Sequence, residues 1–453
     1  MRTQTTLEKA LDINTDLKLY GTFAEIGAGQ EVARQFFQAG KASQTIALTI
    51  SAYDMTYSDI IYGKEKSGRY VCDSRLKRML EKEYEKLISR LNEVRGSKTT
   101  FFAFADTVTT AAKMSHGWMG VKFQHKIGAA PSEVRMHVRL LDKQRLLQQE
   151  SLAKLGVNLI HSCFYKNVDP VDFTQSIFDQ MKLGSISMDA LHFDGPAFTK
   201  FDPLSVNLSL IQLGWSEAIF INTNGEVQNT GDALWDKNIL IQRASYKPVT
   251  TTHLDIASRG VKHFENEFKL KSSDVTTIFE FTLDNRLNNE KVSIDEALQK
   301  IKMILALGLP VLVTRFPLFY EMKEFIRLAS NKPLAIVIGA THLDKLFDEK
   351  FYSDLSGGLL EGMGKLLDKS TRLYIYPHKT KEICLLTKSY FPKPAIRNIY
   401  AHFIENKFLQ DIAGCDEIEE FMHSEDIIKM IKAKKTDWKK YVPTAIHSLV
   451  QKL

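Results

Sequence analysis

Residues 185–222 read SISMDALHFDGPAFTKFDPLSVNLSLIQLGWSEAIFIN, and the rhythm of this stretch decides how the rest of the chain is read. Ser185–Phe193 is a β-prone run. Asp202-Pro203 is a helix start, with Asp in the capping place and Pro in the first turn. Leu204–Leu213 continues as a helix, and Ala218–Ile221 is a second short apolar run. Strand, helix and strand at this spacing predict a parallel pair bridged by a helix.

Downstream the alternation continues. Ile239–Arg243, Thr276–Phe281, Val311–Thr314, Leu334–Ile338 and Leu373–Tyr376 read as strands. Between them lie helical stretches, one near His253–Phe268 and one opened by the Ser293/Glu296 pair, a capping box. Nearly continuous apolar strands alternating with helices predict a sheet covered on both faces. Upstream the pattern differs. Thr45–Ser51, Thr99–Ala105, Gly117–Phe123 and Glu133–Leu141 read as strands, and a helix over 74–95 carries Leu76, Leu80, Tyr84 and Leu87 at helical spacing. Val134, Met136, Val138 and Leu140 alternate with polar residues, the mark of an antiparallel sheet with one wet face. The expected fold is therefore α/β. An N-terminal α+β domain with an antiparallel sheet (1–142) precedes a Rossmann-like, doubly wound parallel-sheet domain (143–393) and a helical C-terminal segment (394–453).

The chain has 453 residues, 44% hydrophobic and 25% charged, with a formal net charge of +6. That is an ordinary soluble composition, and a cytoplasmic location with no membrane partner is expected. The longest apolar run, near 303–313, is broken by Gly308 and Pro310 and is too short to cross a bilayer. Cys72, Cys163, Cys384 and Cys415 are far apart and form no Cys-x-x-Cys pair, so free thiols are expected. The lysines between 429 and 440 read as a solvated helix face, since acidic residues precede them and no aromatic platform is interleaved. Nucleic acid is not an expected partner.

Open parallel sheets bind ligands at the carboxyl ends of their strands, where helix N-termini offer free N–H groups. On this reading Asp194, Asp202, Ser205 and Asn207 are nucleotide-binding candidates. Arg243 and Lys247, just past the strand 239–243, would supply positive charge, and magnesium with ATP would offset the carboxylates. Gly27-Ala28-Gly29 resembles the first two glycines of a dinucleotide loop, but Val32 takes the third place, and a tight turn before a helix over 30–39 is the simpler reading. His192-x-Asp194 and His253-x-Asp255 lack the spacing of a helical zinc site, so no metal site is expected. His116-Gly-Trp-Met-Gly reads as a loop entering a strand, lining either a pocket or an interface.

Residues 199–222 are similar to the entry of a nucleotidyltransferase domain. In that superfamily a Phe-Asp-Pro loop carries a His-x-Gly-His signature that holds phosphates. Here Ser205 and Asn207 occupy that neighbourhood, and no histidine lies between His192 and His253. More widely, Tyr20-Gly-Thr-Phe-Ala-Glu-Ile-Gly-Ala-Gly-Gln-Glu-Val-Ala-Arg, Ser51-Ala-Tyr-Asp-Met, Thr100-Phe-Phe-Ala-Phe-Ala-Asp-Thr-Val, His116-Gly-Trp-Met-Gly and Leu346-Phe-Asp-Glu-Lys-Phe-Tyr resemble a bacterial family. Its members are often labelled nicotinate-nucleotide adenylyltransferase and sometimes TonB-dependent receptor. The second label would require a barrel of many alternating strands, which the sequence lacks. The first implies AMP transfer from ATP to nicotinate mononucleotide. The alternative is a catalytically inactive relative that acts as a scaffold, binds a partner or self-assembles, and homo-oligomers fit either reading.

Overall fold

The computed structural model describes residues 3–65, 68–110, 114–285, 290–419, 422 and 424–452. The chain divides into two compact units, residues 1–217 and 218–453.

The first unit is a six-stranded sheet. Its strands are β1 (Leu19–Gly27), β2 (Ile46–Ala52), β3 (Thr100–Thr110), β4 (Ser115–Phe123), β5 (Ser132–Leu140) and β6 (Ile186–Asp194), in the order β2-β1-β3-β4-β5-β6. β1 is parallel to both β2 and β3, and every pairing from β3 to β6 is antiparallel. The sheet is thus mixed: the expected antiparallel part is joined by a parallel β1–α2–β2 turn. Five helices cover one face: α1 (Thr6–Thr15), α2 (Val32–Ala39), α5 (Arg145–Tyr165), α6 (Pro170–Ser176) and α7 (Pro203–Gln212). Their Ile13, Phe36, Leu159, Phe173 and Leu210 share one core with Phe23, Phe102, Val121, Met136 and Met188 of the strands. α3 (Met55–Tyr62) follows β2, and α4 (Asp73–Arg95) lies on the other face. There Tyr84 and Leu87 meet Phe101 and Ala103. α4 buries Leu76, Met79, Leu80, Tyr84 and Leu87, the three-and-four spacing that makes one apolar stripe.

β6 corrects the expected organisation. The sequence reading puts it in the parallel sheet, beginning a second domain at residue 143. Instead it pairs antiparallel with β5 as the last strand of the first sheet. The compact units accordingly divide at Glu217/Ala218.

The second unit contains β7 (Ala218–Ile221), β8 (Val227–Gln228), β9 (Asn238–Arg243), β10 (Val275–Thr282), the hairpin strands β11 (Asp284–Asn285) and β12 (Glu290–Lys291), β13 (Val311–Thr314), β14 (Leu334–Gly339), β15 (Thr371–Tyr376), the hairpin strands β16 (His378–Lys379) and β17 (Cys384–Leu385), and β18 (Leu409–Asp411). Eight of them form one sheet in the order β18-β15-β14-β9-β10-β13-β7-β8. From β18 to β13 all pairings are parallel, and β7 and β8 add an antiparallel edge. The chain runs β9, β10, β13 outward, returns to the far side of β9 for β14, and continues through β15 to β18. Counted from β9 this is the 3-2-1-4-5-6 order of the doubly wound dinucleotide-binding fold, so the Rossmann-like expectation holds for this unit.

α8 (Thr230–Ala233) precedes β9. α9 (Thr251–Phe268) and α10 (Ile294–Leu305) share one face of the sheet: Phe264 packs on Leu240 and Val337, and Lys300 lies over the Phe281 ring. α11 (Phe319–Arg327), α12 (Leu343–Leu346), α13 (Gly358–Leu366) and α14 (Arg397–Glu405) contribute Phe325, Leu346, Met363 and Phe403 to the core of the opposite face. α15 (Ser424–Lys432) and α16 (His447–Val450) end the chain, giving the expected helical tail. Among the described residues no helix is long and apolar enough to cross a membrane.

The free-thiol expectation fails for two of the four cysteines. Cys384 and Cys415 form a disulfide, while Cys72 and Cys163 are free and buried. The two partners are 31 residues apart, a separation that carries no motif.

Candidate functional site

The expected nucleotide rim is not formed by one sheet. Asp194, Asp202, Ser205 and Asn207 belong to the first unit, and Arg243 and Lys247 to the second. All of these side chains but Asp194 have structural work. Asp202 caps α7, accepting from the Ser205 N–H at 3.1 Å and from the Ser205 hydroxyl. The carboxylate therefore already fills the anion-attracting end of the helix. Asn207 is fully buried. Its Oδ1 accepts from Leu191 N at 2.9 Å, and its Nδ2 donates to the carbonyls of Leu191 and Pro203, both at 2.8 Å. It satisfies the outward backbone of β6, and no donor is left for a phosphate. Asp194 is exposed at the end of β6.

Arg243, at the carboxyl end of β9, is held by the fully buried Glu280: Nε donates at 2.5 Å and Nη2 at 3.1 Å. Glu280 also accepts from the Thr314 hydroxyl at 2.6 Å. Arg243 further donates to the Pro317 carbonyl and lies over the Phe319 ring at 4.9 Å. Lys247 pairs with Glu296 at 3.3 Å, and Lys300 reaches the same carboxylate at 3.1 Å. Arg243 and Lys247 line different cavities, so the expected basic pair is divided.

The cavity beside Arg243 lies where theory puts a ligand in this fold. It has a volume of about 230 Å³ and opens at the carboxyl ends of β9, β10 and β14, around the point where the strand order reverses. Arg243, Thr282, Phe319, His342, Lys345 and Phe351 are among its walls. Glu280 matches the Arg243 charge, whereas Lys345 makes no ion pair among the described residues. His342 is exposed at the crevice mouth, and local desolvation, followed by the neighbouring Lys345, lowers it from the ordinary histidine range and favours its neutral form. The crevice is thus aromatic, with one unmatched positive charge. Sequence reasoning reached Arg243 but missed His342 and Lys345, which follow β14 in a segment without a motif.

The first βα turn of this sheet does not offer the usual phosphate seat. Thr250 caps α9 reciprocally with His253: His253 N donates to Thr250 Oγ1, and Thr250 N donates to His253 Nδ1 at 3.0 Å. Thr251 Oγ1 donates to the Tyr441 carbonyl, which lays the C-terminal segment over this end.

The chain resembles solved structures over about a third of its length. One is the competence/damage inducible protein CihA from Agrobacterium tumefaciens, at 16% identity and a TM-score of 0.27, covering 36% of this chain and 98% of that one. A CinA superfamily protein from Enterobacter cloacae gives 14% and 0.27, covering 36% and 94%. A competence or damage-inducible protein from Enterobacter asburiae gives 12% and 0.25, covering 35% and 94%. Likeness at this level says nothing about activity. No family model and no curated relative matches the chain.

Two polar groupings of the first unit involve residues that the sequence singles out. His116 Nδ1 and His137 Nε2 are 2.9 Å apart, and His137 Nδ1 is 2.5 Å from Asp189. His137 and Asp189 are buried. Asp189 is the extra residue of a β-bulge between the His137–Ala190 and Val138–Met188 pairs, which turns its side chain towards β5. The Asp189 carboxylate can accept from His137 Nδ1–H, and the direction of the His137–His116 bond then follows the proton on His137 Nε2. Burial, with His137 adding to it, pushes His116 down to about 4, so it is neutral at pH 7. Trp118 packs between His137 and His192 at ring distances of 5.1 and 5.9 Å. The sequence placed His116 in a loop, but it lies within β4. The alternation Met136-His137-Val138 held the signal for His137, but nothing local announces its partner strand.

The Gly27-Ala28-Gly29 turn also has a structural reason. Gly27 has φ +79°, and a Cβ on Gly29 would lie 2.3 Å from the Asp106 carboxylate. Asp106 and Glu25 are register partners on β3 and β1, and both are buried. Glu25 accepts from Val32 N at 2.8 Å, at the start of α2. Asp106 Oδ1 accepts from Ile26 N, and Oδ2 has no partner among the described residues. Burial pushes Glu25 up to about 7 and Asp106 well above the usual carboxylate range, each raised further by a neighbouring carboxylate. The turn packs over two carboxyls rather than around a phosphate. Among the described residues no group of three or more His, Cys, Asp or Glu side chains could hold a metal ion.

Proposed function

We propose that the chain is a non-enzymatic binding protein whose second unit takes a small anionic, ring-bearing ligand of the nucleotide class in the crevice beside β9 and β14. The observation that carries this reading is the crevice itself, set at the reversal of a 3-2-1-4-5-6 sheet, with Phe319 and Phe351 for a planar ring and Lys345 for an anion. Adenylyl transfer asks for more: positive charge or donors placed where negative charge grows on phosphorus. Glu280 already neutralises Arg243, His342 is biased towards its neutral form, and Ser205 and Asn207 serve α7 and β6. Binding without turnover is what such a set supports.

The test is calorimetry and thermal shift with AMP, ATP, nicotinate mononucleotide and inorganic phosphate, together with pyrophosphate release from ATP plus nicotinate mononucleotide. The expected result is a rise in melting temperature with at least one nucleotide, affinity lowered about tenfold by Lys345→Ala, and no pyrophosphate. No shift with any of the four sinks the binding proposal. Sustained pyrophosphate release restores the enzyme reading.

A further inference from the structure

Natural sheets protect their edge strands with charge, proline, bulges or a covering element, because unpaired N–H and C=O groups recruit other strands. β2 ends the first sheet, and of these devices it shows one, a bulge at Ala47 between its pairs with Gly21 and Thr22; charge and proline are missing. From Ala42 to Tyr53 the chain carries no charged residue and no proline. Leu48, Thr49 and Ser51 are exposed within the strand. Beyond its end come Tyr53, 82% exposed, and then Met55, Tyr57 and Ile60 of α3, with Ile60 76% exposed. Adjacent exposed apolar residues of this kind mark an interaction site rather than scattered surface.

The charges that bracket the strand specify the partner. Lys41 stands before the short turn Ala42–Gln44 that leads into the strand, and Asp54 just past its end, and both are exposed. A copy of the strand laid alongside in parallel would set like charges together. A copy related by a two-fold axis is antiparallel by symmetry, and it sets Lys41 of each chain towards the Asp54 end of the other. The uncharged centre then pairs with itself, and the α3 side chains of both copies flank the junction. We propose that β2 pairs with β2 of a second copy of this chain, joining two six-stranded sheets into one across a closed two-fold interface.

The test is sedimentation of the full chain from about 1 to about 100 µM. The wild type is expected to show a concentration-dependent dimer. Thr49→Lys places like charges near the axis and raises Kd at least about tenfold. Lys41→Asn and Asp54→Asn each raise Kd several-fold and weaken its salt dependence; Asn at 54 keeps the α3 cap. Unchanged melting temperatures establish that the variants fold. A wild type that is monomeric throughout overturns the proposal, even if a different chain is found to add to the edge. So does a dimer whose Kd is indifferent to Thr49→Lys.

Discussion

At one edge of the first sheet the outward backbone of β6 is already occupied: Asn207 takes both the N–H and the C=O of Leu191, and Met188 N donates to the Trp215 carbonyl at 2.7 Å. At the other edge, uncharged β2 presents exposed Leu48 and Thr49. One chain thus finishes the same sheet in two ways, by a buried amide on a returning helix and by an uncharged, bulged strand with exposed side chains. A closed edge contributes to the stability of the chain that makes it, whereas an open one can contribute only when something joins it. The two edges should therefore respond to substitution through different measurements.

Asn207→Leu should have the largest effect. It keeps the γ-branched shape but strips partners from two buried backbone groups, at about 4 kcal/mol in total. Urea unfolding, with faster hydrogen exchange at Leu191, measures this. A loss under about 0.5 kcal/mol would mean the edge is closed by something else. Next comes pH, acting at β1 beside the open edge. The folded pKa of Glu25 is raised from 4.5 to about 7, so folding favours its protonated form. That stability is complete below about pH 4.5 and fades as pH rises through 7, on the order of 3 kcal/mol in all. Glu25→Gln can still accept from Val32 N and should flatten the decline. An unchanged pH profile would show that Glu25 ionises without cost. The smallest effect on the isolated fold belongs to Thr49→Lys, under about 0.5 kcal/mol by urea unfolding of dilute protein. A larger loss would show that β2 is buttressed within its own chain and that the contrast between the edges is false.

Much of the second unit was legible because its strands are buried on both faces. Ala218–Ile221 and Val311–Thr314 were read with the bounds the structure gives them. Strand partners were less legible, since pairing is a long-range property. β6 alternates equally well for either sheet, and only its pairing with β5 decides. β1 escaped notice because Gly21, Glu25 and Gly27 interrupt its apolar pattern, although the buried Glu25 answers the start of α2. Asp202 was correctly read as a helix cap, but Asn207 looked like a ligand contact because no local signal says that a buried amide will meet a strand edge 16 residues earlier. Arg243 could be placed at a strand end, yet Glu280, which takes up its charge, lies 37 residues away.

The Cys384–Cys415 bond encloses a segment that includes Phe391, 91% exposed, and a bare stretch of this sort is where proteases enter. A single cut there would leave both pieces covalently tied. Scission would become visible as two fragments only after a reductant is added, so the state of one sulfur pair governs whether a nicked chain still counts as one molecule.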